Sequence, residues 1–176
     1  IATTYYMLMD MGNILLFEPQ QKELKQHVKL AADRLLEWMK PNGQWEVAYE
    51  NKTLKPTFTD IADLRPTFYG LLIAYEILKD KKYLQAAIQG ADWYVENAVK
   101  KGHFLGVCGD TRFVPDFATA QSVQALLELY NVTGNEKYKE AAISAAKIYT
   151  ASVYTHPIPT SVVKQVKGVE RKDWEI

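Results

Sequence analysis

Little in this sequence points to the more distinctive protein classes. Its single cysteine, Cys108, in 176 residues excludes an intrachain disulfide framework and a cysteine-based metal cluster. Neither charge is in excess: 21 Lys and Arg stand against 21 Asp and Glu. A nucleic-acid binder normally presents a basic surface, so nucleic acid is not an expected partner. No apolar run reaches the ~18 residues that a bilayer span requires, so membrane insertion is not expected either. A glycine-rich phosphate loop, a Gly-x-Ser-x-Gly elbow, a His-Glu-x-x-His motif and a calcium loop are all missing. No cofactor or metal is implied. What remains, 48% apolar and 24% charged residues, is ordinary globular composition.

The segment Tyr5–Phe17 is apolar enough to suggest a signal peptide, but no basic residue precedes it and Asp10 interrupts it. We read it as part of a helix. The sequence starts at Ile1 and ends at Trp174-Glu175-Ile176 without a polar tail. The expectation is a piece of a longer polypeptide, the remainder of which would be a partner.

An internal repeat organises the chain. Leu71, Leu72, Tyr75, Lys82, Tyr83, Ala86, Ala87, Ile88, Ala91 and Tyr94 recur 55 positions later, without a gap. They return as Leu126, Leu127, Tyr130, Lys137, Tyr138, Ala141, Ala142, Ile143, Ala146 and Tyr149. A fainter copy lies 59 positions upstream, where Ala31-Ala32-Asp33 with Glu37 matches Gly90-Ala91-Asp92 with Glu96. Each unit reads as two helices. Thr67–Leu78 and Ser122–Val132 are apolar around most of their circumference and should be enclosed. Tyr83–Val95 and Tyr138–Tyr149 place Tyr, Ala and Ile at three- and four-residue steps and should lie outside. The turns Lys79-Asp80-Lys81 and Thr133-Gly134-Asn135-Glu136 suit antiparallel hairpins, with Gly134 as a C-terminal cap and Asp80 and Asn135 as N-caps. The prediction is an all-α fold, one domain over 1–176 with hairpins at 1–39, 60–98 and 116–153. Ser161–Val169 is the best candidate strand. A period near 55 exceeds the ~34–47 residues of the common helical solenoids.

The excess length sits in the connections that lead from each outer helix to the next inner one, 41–66, 102–117 and 156–174. In an array of antiparallel hairpins such connections emerge at one end, and long loops are often functional. Each closes on acids and arginine: Asp60, Asp63 and Arg65; Asp110, Arg112 and Asp116; Arg171 and Asp173 beside Trp174. Any one aspartate here could simply cap a helix N-terminus, and Arg65 and Arg112 could pair with their neighbours. Taken together with Trp45, Tyr49 and Phe104, the set makes a surface suited to sugar rings and acidic substituents, since guanidinium binds carboxylate bidentately.

On these features the chain resembles the six-hairpin (α/α) toroid of glycan-active enzymes, which includes glycoside hydrolases, unsaturated glucuronyl hydrolases and the helical domains of polysaccharide lyases. The carriers are the Leu-Leu-x-x-Tyr inner helices, the Tyr-x-x-Ala-Ala outer helices and the rim motifs Asp110-Thr-Arg112-Phe-Val-Pro-Asp116 and Arg171-Lys-Asp173-Trp174. About three of the six hairpins of a complete toroid are present. The resemblance implies an oligosaccharide or polysaccharide substrate and hydrolysis by paired carboxyl groups. Asp116 is the first candidate acid, followed by Asp110 and Asp173. Trp45, Tyr49, Asp63, Arg65, His103, Arg112, Arg171 and Trp174 are the expected substrate contacts. Two alternatives stay open: a non-catalytic helical-repeat scaffold, and a lyase domain in which His103 and Arg112 would act on a uronate. Cys108 reads as a small buried residue. The resemblance favours the periplasm or cell surface, with the cytoplasm still possible.

Overall fold

The computed structural model describes residues 5–107, 114–153 and 162–172. Among the described residues, six α-helices form three antiparallel pairs: α1 (Tyr6–Phe17) with α2 (Lys22–Glu37), α3 (Phe68–Leu78) with α4 (Lys81–Tyr94), and α5 (Phe117–Thr133) with α6 (Glu136–Ser152). The all-α expectation and the partial toroid both stand. A π-helical turn, Val95–Val99, extends α4. In place of one strand, the 161–169 region holds the start of a two-stranded hairpin, β1 (Val163–Val166) and β2 (Val169–Lys172). Lys167 and Gly168 both take positive φ, 51° and 78°, which a two-residue turn between twisted strands demands.

Local chemistry explains where the helices begin and end. Asp80 caps α4 by accepting from the Lys82 N–H at 3.0 Å, and Asn135 caps α6 by accepting from the Lys137 N–H at 3.2 Å. Both bonds satisfy donors that have no intrahelical partner. Gly134 ends α5 at φ 68°, a left-handed conformation that lacks a steric cost only in glycine.

The inner helix α3 is enclosed, with every residue from Phe68 to Ala74 buried. Helices α1, α2 and α4 pack around it. Close approach is the reason for Gly70: a Cβ there would stand 2.8 Å from Leu8 and 3.1 Å from Leu35. The outer helices are joined by a repeated clamp. Lys82 Nζ and the Tyr83 hydroxyl donate to Asp33 at 2.8 and 2.7 Å. One hairpin on, Lys137 Nζ and the Tyr138 hydroxyl reach Asp92, each at 2.6 Å. The sequence repeat is therefore a repeat of joints as well as of helices. Among the described residues, no helix is long and apolar enough to cross a membrane.

Candidate functional site

Two of the long connections meet at the end where α3 and α5 begin. The first, between α2 and α3, doubles back on itself through isolated bridges Glu46–Ala62 and Tyr49–Pro56. Its end carries Asp63 and Arg65, both 2% exposed. Asp63 Oδ1 accepts from Arg65 Nε at 2.6 Å and Oδ2 from the Thr67 hydroxyl at 2.8 Å. Burial pushes the Asp63 carboxyl above the usual carboxylate range, against the pull of Arg65 and Thr67. The other guanidinium nitrogens of Arg65 bind the Val47 carbonyl at 2.9 Å and the Val107 carbonyl at 3.3 Å. One side chain thus ties three stretches of loop together. It works as a structural clamp, and its buried fork is turned to backbone oxygen.

Val107 passes the connection on. Its N–H donates to Asp116 Oδ1 at 2.9 Å, and the same oxygen caps α5 by accepting from the Ala118 N–H at 2.8 Å. Among the described residues nothing donates to Asp116 Oδ2. Asp63 and Asp116 therefore differ: both oxygens of Asp63 are engaged inside the protein, whereas half-buried Asp116 is held by one oxygen.

The start of α1 completes the cluster. The Tyr6 ring lies 5.8 Å from Phe117 and 4.4 Å from Tyr5. Tyr6 feels Arg65, Asp116 and Asp63 electrostatically, and burial raises its hydroxyl pKa. The hydroxyls of Tyr5 and Tyr94 are raised by burial as well, so all three stay protonated donors. Buried Tyr94 and Thr119 find no hydrogen bond of ordinary geometry among the described residues, although Tyr94 lies beside Ser122. Tyr5 and Tyr6 are inconspicuous in the sequence because Tyr5–Phe17 reads as a plain apolar helix. The adjacent pair at its start was the available signal.

Trp45, Tyr49 and His103, three of the remaining expected contacts, take separate positions. Trp45 is 3% exposed, with its indole N–H on the Leu35 carbonyl at 2.8 Å and its ring against Gly90, where an added Cβ would come within 2.7 Å. Its faces are covered by protein, so no sugar can stack there. Tyr49 is half-buried, 4.7 Å from the Trp38 ring. His103 is exposed, and its N–H closes the π-helical turn on the Ala98 carbonyl at 3.0 Å. Arg171 is exposed on β2 opposite Lys164. Asp110, Arg112, Asp173 and Trp174 lie outside the described residues, as does Cys108.

A second polar feature runs along the inner helices. A groove of about 230 Å³ is lined by Asn13, Tyr69, Glu76, Gln124 and Glu128 among apolar neighbours. The Tyr69 hydroxyl donates to Glu128 at 2.9 Å, and Gln124 Nε2 donates to the same carboxylate at 2.8 Å. Burial and the Glu128 charge raise the Glu76 pKa. Gln121, Gln124 and Glu128 follow helical spacing, a polar stripe legible in the sequence but hidden by the leucines around it. Among the described residues no group of His, Cys, Asp or Glu is placed to hold a metal ion.

Among curated proteins, none matches this chain. A family model does, over residues 65–167, from the Arg65 clamp through α3–α6 and into the terminal hairpin. That family is one of six-hairpin toroids. Its match supports a glycoside-hydrolase-like function in general and a carbohydrate substrate. With more than half its length matched, and a helical-hairpin fold to go with it, the chain belongs to Glycosyl Hydrolase Family 88.

Proposed function

We propose that the rim where α1, α3 and α5 begin is the part of a hydrolytic site contributed by this chain, and that Asp116 is one of its two carboxyl groups. The observation that carries this reading is the contrast with Asp63. Asp116 is fixed in place by two N–H donors on one oxygen and keeps its other oxygen without a donor among the described residues. Asp110 or Asp173 supplies the second carboxyl group. The separation of the pair decides the outcome, at ~5–5.5 Å for retention and ~6.5–9.5 Å for inversion. Half-buried Tyr6 and Tyr49 offer ring edge to a sugar. Arg65 positions Asp116 through Val107 and does not itself touch substrate. Polysaccharide breakdown of this kind fits a periplasmic or cell-surface setting.

Asp116→Asn separates chemistry from folding, because asparagine caps a helix about as well as aspartate. With uronate-containing oligosaccharides as probes and product sugars read by chromatography, turnover should fall about 10²–10⁴-fold. The melting temperature should stay near that of the parent. Unchanged turnover would sink the assignment. A product absorbing in the ultraviolet would indicate the lyase alternative, and binding without cleavage the scaffold.

A further inference from the structure

Two hydroxyls near the rim are sealed from solvent without a partner. Tyr94 ends α4 at 1% exposure, and Thr119 stands in the first turn of α5 at 0%. Neither hydroxyl makes a hydrogen bond of ordinary geometry among the described residues. Buried polar side chains are nearly always bonded, to protein or to ordered water, so each exception calls for a cause.

Neither group satisfies itself locally. A tyrosine hydroxyl lies on the axis of its ring, so rotating the ring leaves it in place. The Tyr94 ring packs on Phe68 at 5.7 Å and on Phe104 at 6.4 Å. Threonine and serine within a helix can bond the carbonyl three or four residues back. Ser122 does so, its Oγ donating to the Thr119 carbonyl at 2.6 Å. For Thr119 the carbonyl three residues back is that of Asp116, which already accepts from the Thr119 and Ala120 N–H groups, each at 3.1 Å.

The two hydroxyls share a neighbourhood. Residues three apart on a helix lie on one face, so Thr119 and Ser122 are neighbours. Tyr94 reaches the same place from α4, since it lies beside Ser122. The Ser122 proton is committed to a carbonyl, which leaves its oxygen as an acceptor. The seam between α4 and α5 therefore offers two donors and one acceptor, and three partners is the usual complement of a buried water.

We propose that this seam binds an internal water that accepts from the Tyr94 and Thr119 hydroxyls and donates to Ser122 Oγ. The bridge ties the end of α4 to the turn of α5 that Asp116 caps. It is a fixed part of the fold, out of reach of any sugar, because all three side chains are buried. The inference does not depend on the hydrolytic reading of the rim.

A high-resolution crystal structure of the whole chain tests it directly. Density for a water within hydrogen-bond distance of Tyr94 Oη and Thr119 Oγ1 is expected. An empty seam would overturn the proposal, as would either hydroxyl bonded to another protein group instead. In solution, Tyr94→Phe and Thr119→Val should each lower the melting temperature by about 2–4 °C, because each removes one partner of the water. The double variant should lose clearly less than the sum, since both hydroxyls act through one molecule. Single variants as stable as the parent or more so would mean dry, unbonded hydroxyls. Strictly additive losses would mean that each hydroxyl has a partner of its own. Either result would overturn the shared water.

Discussion

Asp33 on the outer surface and Asp63 at the rim accept from the same kinds of group. Asp33 takes Lys82, Lys29 and the Tyr83 hydroxyl; Asp63 takes Arg65 and the Thr67 hydroxyl. Their carboxyls nevertheless shift in opposite directions. The lysines and Tyr83 hold Asp33 well below the usual carboxylate range, whereas burial drives Asp63 above it. Partner chemistry does not separate them. Solvent does: the Asp33 side chain is 34% exposed and that of Asp63 is 0% exposed. A surface ion pair adds a little stability and can be lost cheaply. A buried one contributes little net stability, yet losing half of it leaves a charge stranded. The outer clamps thus join hairpins, while the rim clamp fixes loop geometry.

Removing Arg65 is the largest test of that difference. Arg65→Met strands the Asp63 carboxyl and frees the Val47 and Val107 carbonyls, and should cost ~3–5 kcal/mol in urea denaturation. Asp63→Asn added to Arg65→Met should recover much of the loss, because the stranded charge is gone. If the single variant unfolds no more easily than its parent, the rim pair is no different from a surface pair and the comparison fails. Tyr138→Phe probes the outer class. It removes one bond to Asp92, itself 44% exposed, where water can replace the donor, and should cost about 1 kcal/mol. A loss as large as that of Arg65→Met would mean that exposure does not set the scale.

The outer clamp was half legible. The matches Ala32-Asp33 to Ala91-Asp92 and Lys82-Tyr83 to Lys137-Tyr138 are plain in the sequence. That one set binds the other follows only when adjacent outer helices are laid side by side. The rim was harder to read. Arg65 beside Asp63 suggested a local pair, and they do pair; the reach to Val107, 42 residues on, has no sequence signal. Trp45 shows the limit. An indole in a polar loop reads as an exposed platform, and its burial depends on Gly90 of a distant helix leaving room for the ring. Asp116 as an N-cap was legible from Pro115-Asp116 before an apolar helix. Its second donor, the Val107 N–H, was not.

Acid titration gives the smallest effect, and the signs run opposite ways. The Asp33 pKa is lower in the folded chain than in the unfolded one, so its contribution is complete above the unfolded value near 3.9. It is lost as pH falls through the folded value, when protonation removes the charge that Lys82 and Lys29 hold. The Asp63 pKa is higher when folded, so between the unfolded and folded values folding takes up a proton, and this group alone makes the protein more stable as pH falls. Asp33→Asn should therefore lower stability at neutral pH by at most about 1 kcal/mol, the range of solvent-screened pairs. The difference from the parent should begin to shrink as pH falls below ~4, where the unfolded parent takes up a proton that the folded one still refuses. Urea midpoints of the two proteins across pH 2–7 measure it. A gap that stays constant into acid would mean that Asp33 holds α2 to α4 by its shape and hydrogen bonds alone. The outer and rim aspartates would then no longer be distinguished by charge.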